Sequence, residues 1–216
     1  FTSAIFFGPP GCGKTALARY IAEHSNAEVV ELNAVTAGVA DIRKAVEQAK
    51  YSATLGRKTL LLVDEIHHFN KTQQDALLPS VERGDVLLIG MTTENPGFYV
   101  NAALRSRVTA FEFMPVPEAE LEKILDNAVN DKERGVSSLR IILTPEAKAH
   151  LVRQSHGDAR RLLNALEIAA LTTGTDTNGE RRVNLAVAEE SIQKRQIRYD
   201  KKSDDHYDHI SAFIKS

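Results

Sequence analysis

The sequence predicts an α/β domain built on a parallel five-stranded sheet, followed by a small all-helical domain. Up to Phe113, short apolar runs alternate with helical patterns, which is typical of a parallel sheet covered by helices on both faces. A glycine-rich string, Gly8–Thr15, separates the first apolar run from the first helical pattern. Beyond Met114–Pro117 the pattern is mostly helical, and the two prolines of that segment mark a joint between domains.

The predicted strands are the five apolar runs Ser3–Phe7, Glu28–Leu32, Thr59–Val63, Val86–Met91 and Val108–Phe113. The third run lacks the alternation of a half-exposed strand, so we expect it at the centre of the sheet, buried on both faces. The segments between the runs predict helices over Lys14–His24, Val39–Thr54 and Lys71–Val81, and a short helix near Phe98–Leu104.

Four further helices are predicted after the joint, at Glu118–Glu133, from Thr144-Pro145 onward, at Asp158–Leu171 and at Asn184–Lys194. Thr144 suits a helix N-cap, and Pro145 suits the first helical position. Gly174–Arg182 is polar and contains glycine, so we expect a mobile loop there. The last residues begin an amphipathic pattern that stops within an element, and we interpret the chain as a piece of a longer protein.

The composition is that of an ordinary globular protein, since 43% of the 216 residues are hydrophobic and 26% are charged. The net charge of −2 and the pI of about 6.4 exclude a generally basic surface, so a nucleic-acid-binding surface would be a local patch. There is no apolar run of membrane-spanning length and no signal-peptide pattern. The single cysteine excludes an internal disulfide and fits a reducing cytosol.

The string Gly8–Thr15 reads G-x-x-x-x-G-K-T between a predicted strand and a predicted helix, the context in which it binds phosphate. Backbone N–H groups of such a loop converge on an anion at the positive end of the helix. The Lys14 ammonium then reaches the β- and γ-phosphates, and the Thr15 hydroxyl is offered to Mg²⁺. The predicted nucleotide-binding residues are Gly8, Pro9, Pro10, Gly11, Cys12, Gly13, Lys14, Thr15 and Ala16.

Two acids, Asp64 and Glu65, follow the third apolar run directly. Ligands of open α/β sheets bind at the carboxyl ends of the strands, which is where this pair is expected. Asp64 is placed to hold Mg²⁺, and Glu65 is placed to polarise a water molecule for attack on a γ-phosphate. Together with the phosphate loop, the pair predicts hydrolysis of a nucleotide rather than binding alone.

Polar residues also end the fourth apolar run, where Thr92, Thr93 or Asn95 is a candidate to hold the attacking water or to contact the γ-phosphate. Two arginines, Arg105 and Arg107, follow a short helical pattern. A guanidinium from this segment, offered to the γ-phosphate of a neighbouring subunit, would stabilise charge in the transition state. An alternative is that both are ordinary surface arginines.

A third arginine, Arg160, falls in the first turn of a predicted helix for which Asp158 is the N-cap. A cation there opposes the helix dipole, which indicates a role beyond helix stability, such as contact with a phosphate. An exposed arginine without such a role is the alternative. His67 and His68 are not expected to bind a metal, because neighbours on an extended chain point to opposite sides. The ligand-type residues at 204–209 are interpreted as a solvated linker.

In their order, these motifs resemble those of the AAA+ ATPases, including Gly-Asp-Ala-Arg at positions 157–160. More specifically, the strings Asp64–Asp75 and Gly90–Pro96 are similar to those of the RarA (also MgsA) family, the bacterial relatives of the Werner-helicase-interacting protein. His68 and Thr109 stand where arginine is usual in that family. The likeness is extended to nearly the whole chain by Asn101–Arg107, Gly157–Asn164 and His206–Ser216.

The resemblance implies an AAA+ P-loop fold, with a P-loop ATPase core at 1–114 and a helical lid at 115–195. Residues 196–216 would be a linker and the start of a truncated C-terminal oligomerisation domain. ATP and Mg²⁺ are the implied cofactors. The implied roles are Thr15 and Asp64 as Mg²⁺ ligands, Glu65 as base, Thr92 as first sensor, Arg107 as a finger acting on a neighbour, and Arg160 as lid sensor.

The resemblance further implies a DNA-dependent ATPase that remodels or maintains stalled replication forks and assists recombination and repair. The implied partners are DNA ends, forks or single-strand/double-strand junctions, replication proteins such as single-strand-binding protein, and further copies of the chain in a tetramer. The implied location is the cytoplasm, in association with the bacterial nucleoid, without a membrane. Two alternatives stay open: an ATP-gated scaffold with little hydrolysis, and a clamp-loader-like or branch-migration ATPase.

Overall fold

The computed structural model describes residues 2–132 and 135–193 of the chain. The chain divides into two compact units, Phe1–Pro115 and Val116–Ser216. Within the described part, every helix is too short or too polar to cross a membrane. The predicted linker at 196–216 lies outside the described residues.

The first unit is built on a parallel sheet whose strand order is β2-β3-β4-β1-β5. In this order β1 lies between two strands that come much later in the chain. The carboxyl ends of β3, β4 and β1 therefore meet at one edge of the sheet, which is where ligands bind in open α/β folds. The strands are β1 (Ala4–Phe7), β2 (Glu28–Asn33), β3 (Thr59–Asp64), β4 (Val86–Thr92) and β5 (Thr109–Glu112).

Helices cover both faces of this sheet, and alternate side chains of β3 show why. Leu61 and Val63 pack into a cluster with side chains of the second and third helices, whereas Leu60 and Leu62 pack into another with Ala18 of the first helix. All four strand residues are at most 2% exposed, and each such burial contributes about 1.5–3 kcal/mol. The helices of this unit are α1 (Lys14–Glu23), α2 (Val39–Thr54), α3 (Lys71–Arg83), α4 (Pro96–Tyr99) and α5 (Ala102–Arg105).

Local signals explain where several helices begin and end. The Asn70 side chain accepts a hydrogen bond from the Gln73 backbone N–H at 3.0 Å, and the Gln73 side chain accepts one from the Asn70 backbone N–H at 2.9 Å, so α3 begins with a reciprocal cap. Gly84 ends α3 in the left-handed region. In the second unit, the Thr144 hydroxyl caps a helix whose first residue is Pro145, as predicted.

The second unit is mainly helical, which confirms the predicted fold class. Its helices are α6 (Glu118–Asn130), α7 (Pro145–Ser155), α8 (Ala159–Thr172) and a helical segment at 185–193. They enclose a core of their own that includes Leu121, Leu125, Leu151 and Leu166, each at most 1% exposed.

A small parallel sheet in the second unit is a difference from the all-helical domain that the sequence predicts. It pairs β6 (Ile141–Leu143) with β7 (Arg181–Val183). The prediction of a mobile loop over Gly174–Arg182 is therefore wrong at its end, where two residues belong to β7. The carboxylate of Asp176 accepts backbone N–H groups of residues 178 and 180, each at 2.8 Å, and closes the turn that leads into the strand. Strands of three residues with partners 40 positions away leave no periodic pattern to detect.

Candidate functional site

The loop between β1 and α1 adopts a backbone path that requires glycine at its two ends. Gly8 has a φ of +142°, and a Cβ built there would lie 2.1 Å from the carbonyl oxygen of Phe113. Gly13 has a φ of +97° and directly precedes the helix. Both conformations are costly for residues with a Cβ. Gly8 and Gly13 are therefore explained by the shape of the loop and, at Gly8, by its close approach to the residue that follows β5.

Lys14 is the most distinctive residue of this loop because its charge is buried and, in the part of the chain that the structure describes, has no partner of opposite charge. The residue is 8% exposed, and its Nζ donates hydrogen bonds to the carbonyl oxygens of Gly8 and Pro9, each at 2.8 Å. Among the described residues, no carboxylate lies within 4.0 Å of Nζ. An uncompensated buried cation is electrostatically unfavourable, so this position favours an anionic ligand.

The amino end of α1 adds backbone donors to the same place. The first bond of the helix runs from the Leu17 N–H to the Gly13 carbonyl at 2.9 Å. The N–H groups of Lys14, Thr15 and Ala16 therefore have no acceptor within the helix, and they lie at its positive end. Cys12 has a different role from these donors. Its thiol donates a hydrogen bond to the Pro9 carbonyl at 2.9 Å and so stabilises the loop itself.

The two acids lie at the end of β3, as the sequence predicts. Asp64 is the last strand residue, and its Oδ1 accepts the Glu65 backbone N–H at 3.1 Å. Glu65 has left-handed torsions, φ 52° and ψ 44°, which cost a non-glycine residue about 1–2 kcal/mol. This conformation turns the chain abruptly from the strand into a 3₁₀ turn at Ile66–His68.

The structure distinguishes among the three polar candidates at the end of β4. Thr92 is 1% exposed, and its carbonyl accepts the N–H of Gly8 at 3.3 Å, so it is tied directly to the phosphate loop. Thr93 is exposed. The Asn95 side chain accepts the Gly97 N–H at 2.8 Å and caps α4. Thr92 is therefore the one of the three that this chain holds against the loop.

His67 is a site residue that sequence reasoning missed. Its Nδ1 lies 2.8 Å from the Thr92 hydroxyl oxygen and 3.4 Å from Oε2 of Glu65. The expectation that His67 and His68 point to opposite sides is wrong, because the chain forms a 3₁₀ turn there, and the two ring centroids lie 4.2 Å apart. The contact with Thr92 spans 25 positions of the sequence, so no local pattern could have revealed it.

Two glutamines that follow the acids, Gln73 and Gln74, form hydrogen bonds with distant segments of the chain. Gln73 donates to the carbonyl of Ala37 at 2.9 Å. Gln74 is 3% exposed; its amide donates to the carbonyls of Phe69 and Tyr99, at 2.8 and 2.9 Å, and accepts the N–H of residue 101 at 2.8 Å. Glutamine is suited to this position because one side chain supplies both donors and an acceptor. The turn beyond Glu65 is thus joined to the segment that leads to the arginines.

The arginines of that segment lie at the surface of the first unit. Arg107 pairs with Glu82 at 2.6 Å, and the two side chains are 41% and 40% exposed. Its guanidinium also donates to the carbonyl of Ala103 at 3.0 Å. Arg105 donates to the carbonyl of Gly97 at 2.7 Å. In the second unit, Arg160 is the exposed second residue of α8, whose N-cap is Asp158, as predicted.

Comparison with known proteins shows the family to which this chain belongs. Residues 4–116 match the family model described as the ATPase family associated with various cellular activities (AAA). The chain belongs to the AAA family of ATPases. Residues 137–216 match a second family model, described as the AAA C-terminal domain.

The predicted resemblance to the RarA family is confirmed by the relatives of this AAA protein. Over 214 residues, the chain is 45% identical to Replication-associated recombination protein A of Haemophilus influenzae, covering 99% of this chain and 48% of that protein. It is 39% identical to the protein of the same name from Bacillus subtilis, covering 100% and 50%. It is 36% identical to ATPase WRNIP1 of Dictyostelium discoideum, covering 99% and 26%. The chain thus spans half the length, or less, of these relatives.

Solved structures support the fold. The RuvB Holliday junction branch migration motor of Thermotoga maritima superposes with a TM-score of 0.67, covering 89% of this chain and 61% of that one. The two are 22% identical in sequence. The likeness confirms the AAA+ arrangement of a parallel sheet with a following helical domain.

Proposed function

We propose that this chain is the nucleotide-hydrolysing part of a DNA-dependent ATPase that maintains or remodels stalled replication forks and assists recombination and repair. The observation that carries the hydrolytic part is the buried Lys14 ammonium, which has no carboxylate partner among the described residues. It lies at the sheet edge where the Asp64-Glu65 pair ends β3, two strands away from β1. An anion is required to balance the charge of Lys14. The two acids, which are suited to bind a metal ion and to activate a water molecule, lie within about two strand spacings, roughly 10 Å.

ATP fits the loop because its phosphates would replace the carbonyl oxygens as acceptors for the Lys14 ammonium. The residues from Gly8 to Ala16 would hold the phosphates through the backbone donors at the start of α1. The Thr15 hydroxyl and the Asp64 carboxylate are the hard oxygen ligands that Mg²⁺ prefers, so these two would hold the ion. When bound, the ion would neutralise charge on the phosphates.

Glu65 would orient and deprotonate the attacking water. Its Oε2 is buried without a hydrogen-bond partner among the described residues, so this oxygen retains acceptor capacity. Thr92 would contact the γ-phosphate as a sensor, because its hydroxyl lies on the strand next to the phosphate loop. Each role rests on a position at the carboxyl end of a strand, which is where the loop presents its phosphates.

The remaining two residues would complete the site from a neighbouring subunit and from the helical lid. Arg107 would act on the γ-phosphate bound by a neighbouring subunit, since it is exposed and held by a surface ion pair that is readily exchanged. Arg160 would contact the phosphates from the helical lid. An exposed arginine that opposes its own helix dipole is available for such a contact.

The use of this hydrolysis on DNA is proposed from the relatives, two of which are named for replication-associated recombination. We propose DNA ends, forks or single-strand/double-strand junctions as the ligands, single-strand-binding protein as a partner, and a tetramer as the assembly. Cytoplasmic location near the nucleoid follows from such a role. Residues 196–216 would form a linker and the start of the oligomerisation domain.

The test measures ATP turnover by the full-length protein without DNA and with fork, gapped and blunt-ended duplexes. We expect turnover to rise severalfold with at least one DNA structure, and we expect removal of Mg²⁺ by chelation to abolish it. Turnover that is measurable but indifferent to all three DNAs would overturn the DNA-dependent part. Nucleotide binding with assembly but without turnover would favour the ATP-gated scaffold instead.

A further inference from the structure

We propose that His67 is a positioning residue that links the γ-phosphate sensor to the catalytic base. In this role, Nδ1 of His67 donates a hydrogen bond to the Glu65 carboxylate only when the Thr92 hydroxyl no longer donates to Nδ1. This inference rests on the proposed hydrolysis by Glu65 and deepens it. The single nitrogen Nδ1 lies near both residues, at 2.8 Å from Thr92 Oγ1 and 3.4 Å from Glu65 Oε2.

The hydrogen bonds around Thr92 indicate which group donates. Its hydroxyl oxygen already accepts the backbone N–H of Glu94 at 2.9 Å. The hydroxyl proton is then free to be donated to Nδ1 of His67, which must be unprotonated to accept it. A nitrogen that accepts cannot donate to Glu65, which agrees with the lack of a hydrogen bond to the buried Oε2 of Glu65 among the described residues.

The surroundings of the imidazole keep its Nδ1 between these two partners. The His67 side chain is 15% exposed, and its ring lies edge-on to Tyr99, with centroids 5.8 Å apart, and 4.2 Å from the ring of His68. The turn that carries it packs closely on β4, because Gly90 has no side chain and a Cβ there would lie 2.8 Å from Cδ1 of Ile66. The ring presents Nδ1 to Thr92, and the Glu65 carboxylate, whose Oε2 lies 3.4 Å from Nδ1, has to turn toward this nitrogen to accept a hydrogen bond from it.

A γ-phosphate oxygen is a stronger hydrogen-bond acceptor than an imidazole nitrogen. When a γ-phosphate binds, the Thr92 hydroxyl would therefore donate to it instead of to His67. Nδ1 then loses its donor. The neutral ring gives its Nε2 proton to water and takes a proton from water at Nδ1, so that the number of protons on the ring is unchanged. The new Nδ1–H donates to Oε2 of Glu65 and orients the carboxylate. Glu65 is thereby fixed for catalysis only when the sensor is engaged.

The first test compares three variants of the full-length protein at neighbouring positions. His67→Phe keeps an aromatic ring against Tyr99 but removes both nitrogens, whereas His67→Asn keeps a polar atom near the position of Nδ1. His68→Phe is the matched control on the exposed side of the same turn. We expect His67→Phe to lower kcat about tenfold with KM changed less than about twofold, His67→Asn to recover most of kcat, and His68→Phe to leave it unchanged.

The second test detects the proton itself and does not depend on turnover. In protein labelled with ¹⁵N at histidine, the shifts of the ring nitrogens show which of them is protonated, and loss of a signal in His67→Asn assigns His67. We expect Nδ1 to be unprotonated in the unaltered protein and protonated in Thr92→Val, where no hydroxyl donates to it. The same tautomer in both proteins would overturn the inference, even if His67→Phe fails to fold.

Glu65→Gln separates this inference from the function on which it rests. If Glu65→Gln abolishes turnover while His67→Phe folds and retains full kcat, the link is wrong and the hydrolytic role of Glu65 stands. If Glu65→Gln turns over normally, the proposed role of Glu65 is wrong and the link fails with it. Loss of kcat in both variants, with the tautomer change in Thr92→Val, supports the link.

Discussion

Two regions of the first unit hold their cations in opposite ways: the phosphate-loop end, at Gly8–Thr15, and the arginine end, at Arg105–Arg107. Lys14 is 8% exposed and is bound by carbonyl oxygens of its own loop, whereas the Arg107 side chain is 41% exposed and pairs with Glu82 on the surface. An exposed ion pair contributes only about 0–1 kcal/mol, so Arg107 exchanges its partner at little cost. The difference fits the proposal that Lys14 is preorganised for the ligand of its own chain and that Arg107 is available to a neighbouring subunit.

The largest effect is expected from removing the buried cation. Lys14→Ala should lower kcat/KM for ATP at least about 100-fold, or about 2.7 kcal/mol, because preorganised charge in a desolvated site contributes most to binding and catalysis. Arg19→Ala is the matched control, since Arg19 lies on the same helix but forms an exposed ion pair with Glu31 at 3.3 Å. Equal effects of the two substitutions in steady-state turnover would contradict the comparison.

The rigidity of the loop should appear in stability. Gly8→Ala should lower the free energy of unfolding by at least about 2 kcal/mol, because its Cβ would lie 2.1 Å from the Phe113 carbonyl oxygen and the backbone must shift. Gly84→Ala should cost only about 1 kcal/mol, since its φ is also positive but a Cβ there meets nothing within 4 Å. Urea unfolding of both variants measures the difference, and equal losses would show that the loop adapts.

A mixing experiment tests whether the arginine end acts on a neighbour. Glu65→Gln and Arg107→Ala should each slow ATP turnover at least about tenfold, or about 1.4 kcal/mol. If Arg107 acts across subunits, an equal mixture of the two full-length variants restores turnover, because about one quarter of the interfaces in a randomly mixed closed ring combine an intact Glu65 with an intact Arg107. A mixture no more active than the average of its two components would show that Arg107 acts on the site of its own subunit.

The smallest effect is expected from a surface contact that belongs to neither end. Hydrogen bonds from Ser52, at 2.6 Å, and from Gln48 lower the pKa of the Glu28 carboxyl below its usual value. A carboxyl whose pKa is lowered by folding stabilises the protein above its unfolded pKa, and the contribution is lost as the pH falls through the folded pKa. Glu28→Gln should therefore unfold at a lower urea concentration at neutral pH, with the difference fading in acid, while ATP turnover is unchanged.

Much of the fold could be predicted because it rests on local patterns. The five strands, the helices of the first unit and the caps at Asp158 and Thr144 each follow from a few adjacent residues. The second unit was harder to predict, because the pairing of β6 with β7 joins short segments far apart in the chain. The candidate site divides in the same way, since the loop and the acids follow from adjacent residues, whereas the His67 contact with Thr92 does not.

By itself, the sequence determined that this protein has a phosphate loop, an acid pair and a parallel sheet, because glycine, lysine, carboxylates and apolar runs act within a few residues of where they stand. Only the tertiary structure decided which of these groups meet. The strand order places β4 beside β1, so that Thr92 reaches the loop, and the turn after Glu65 brings His67 to Thr92. A hydrogen bond between residues 25 positions apart depends on the path of the whole chain, which no short segment encodes.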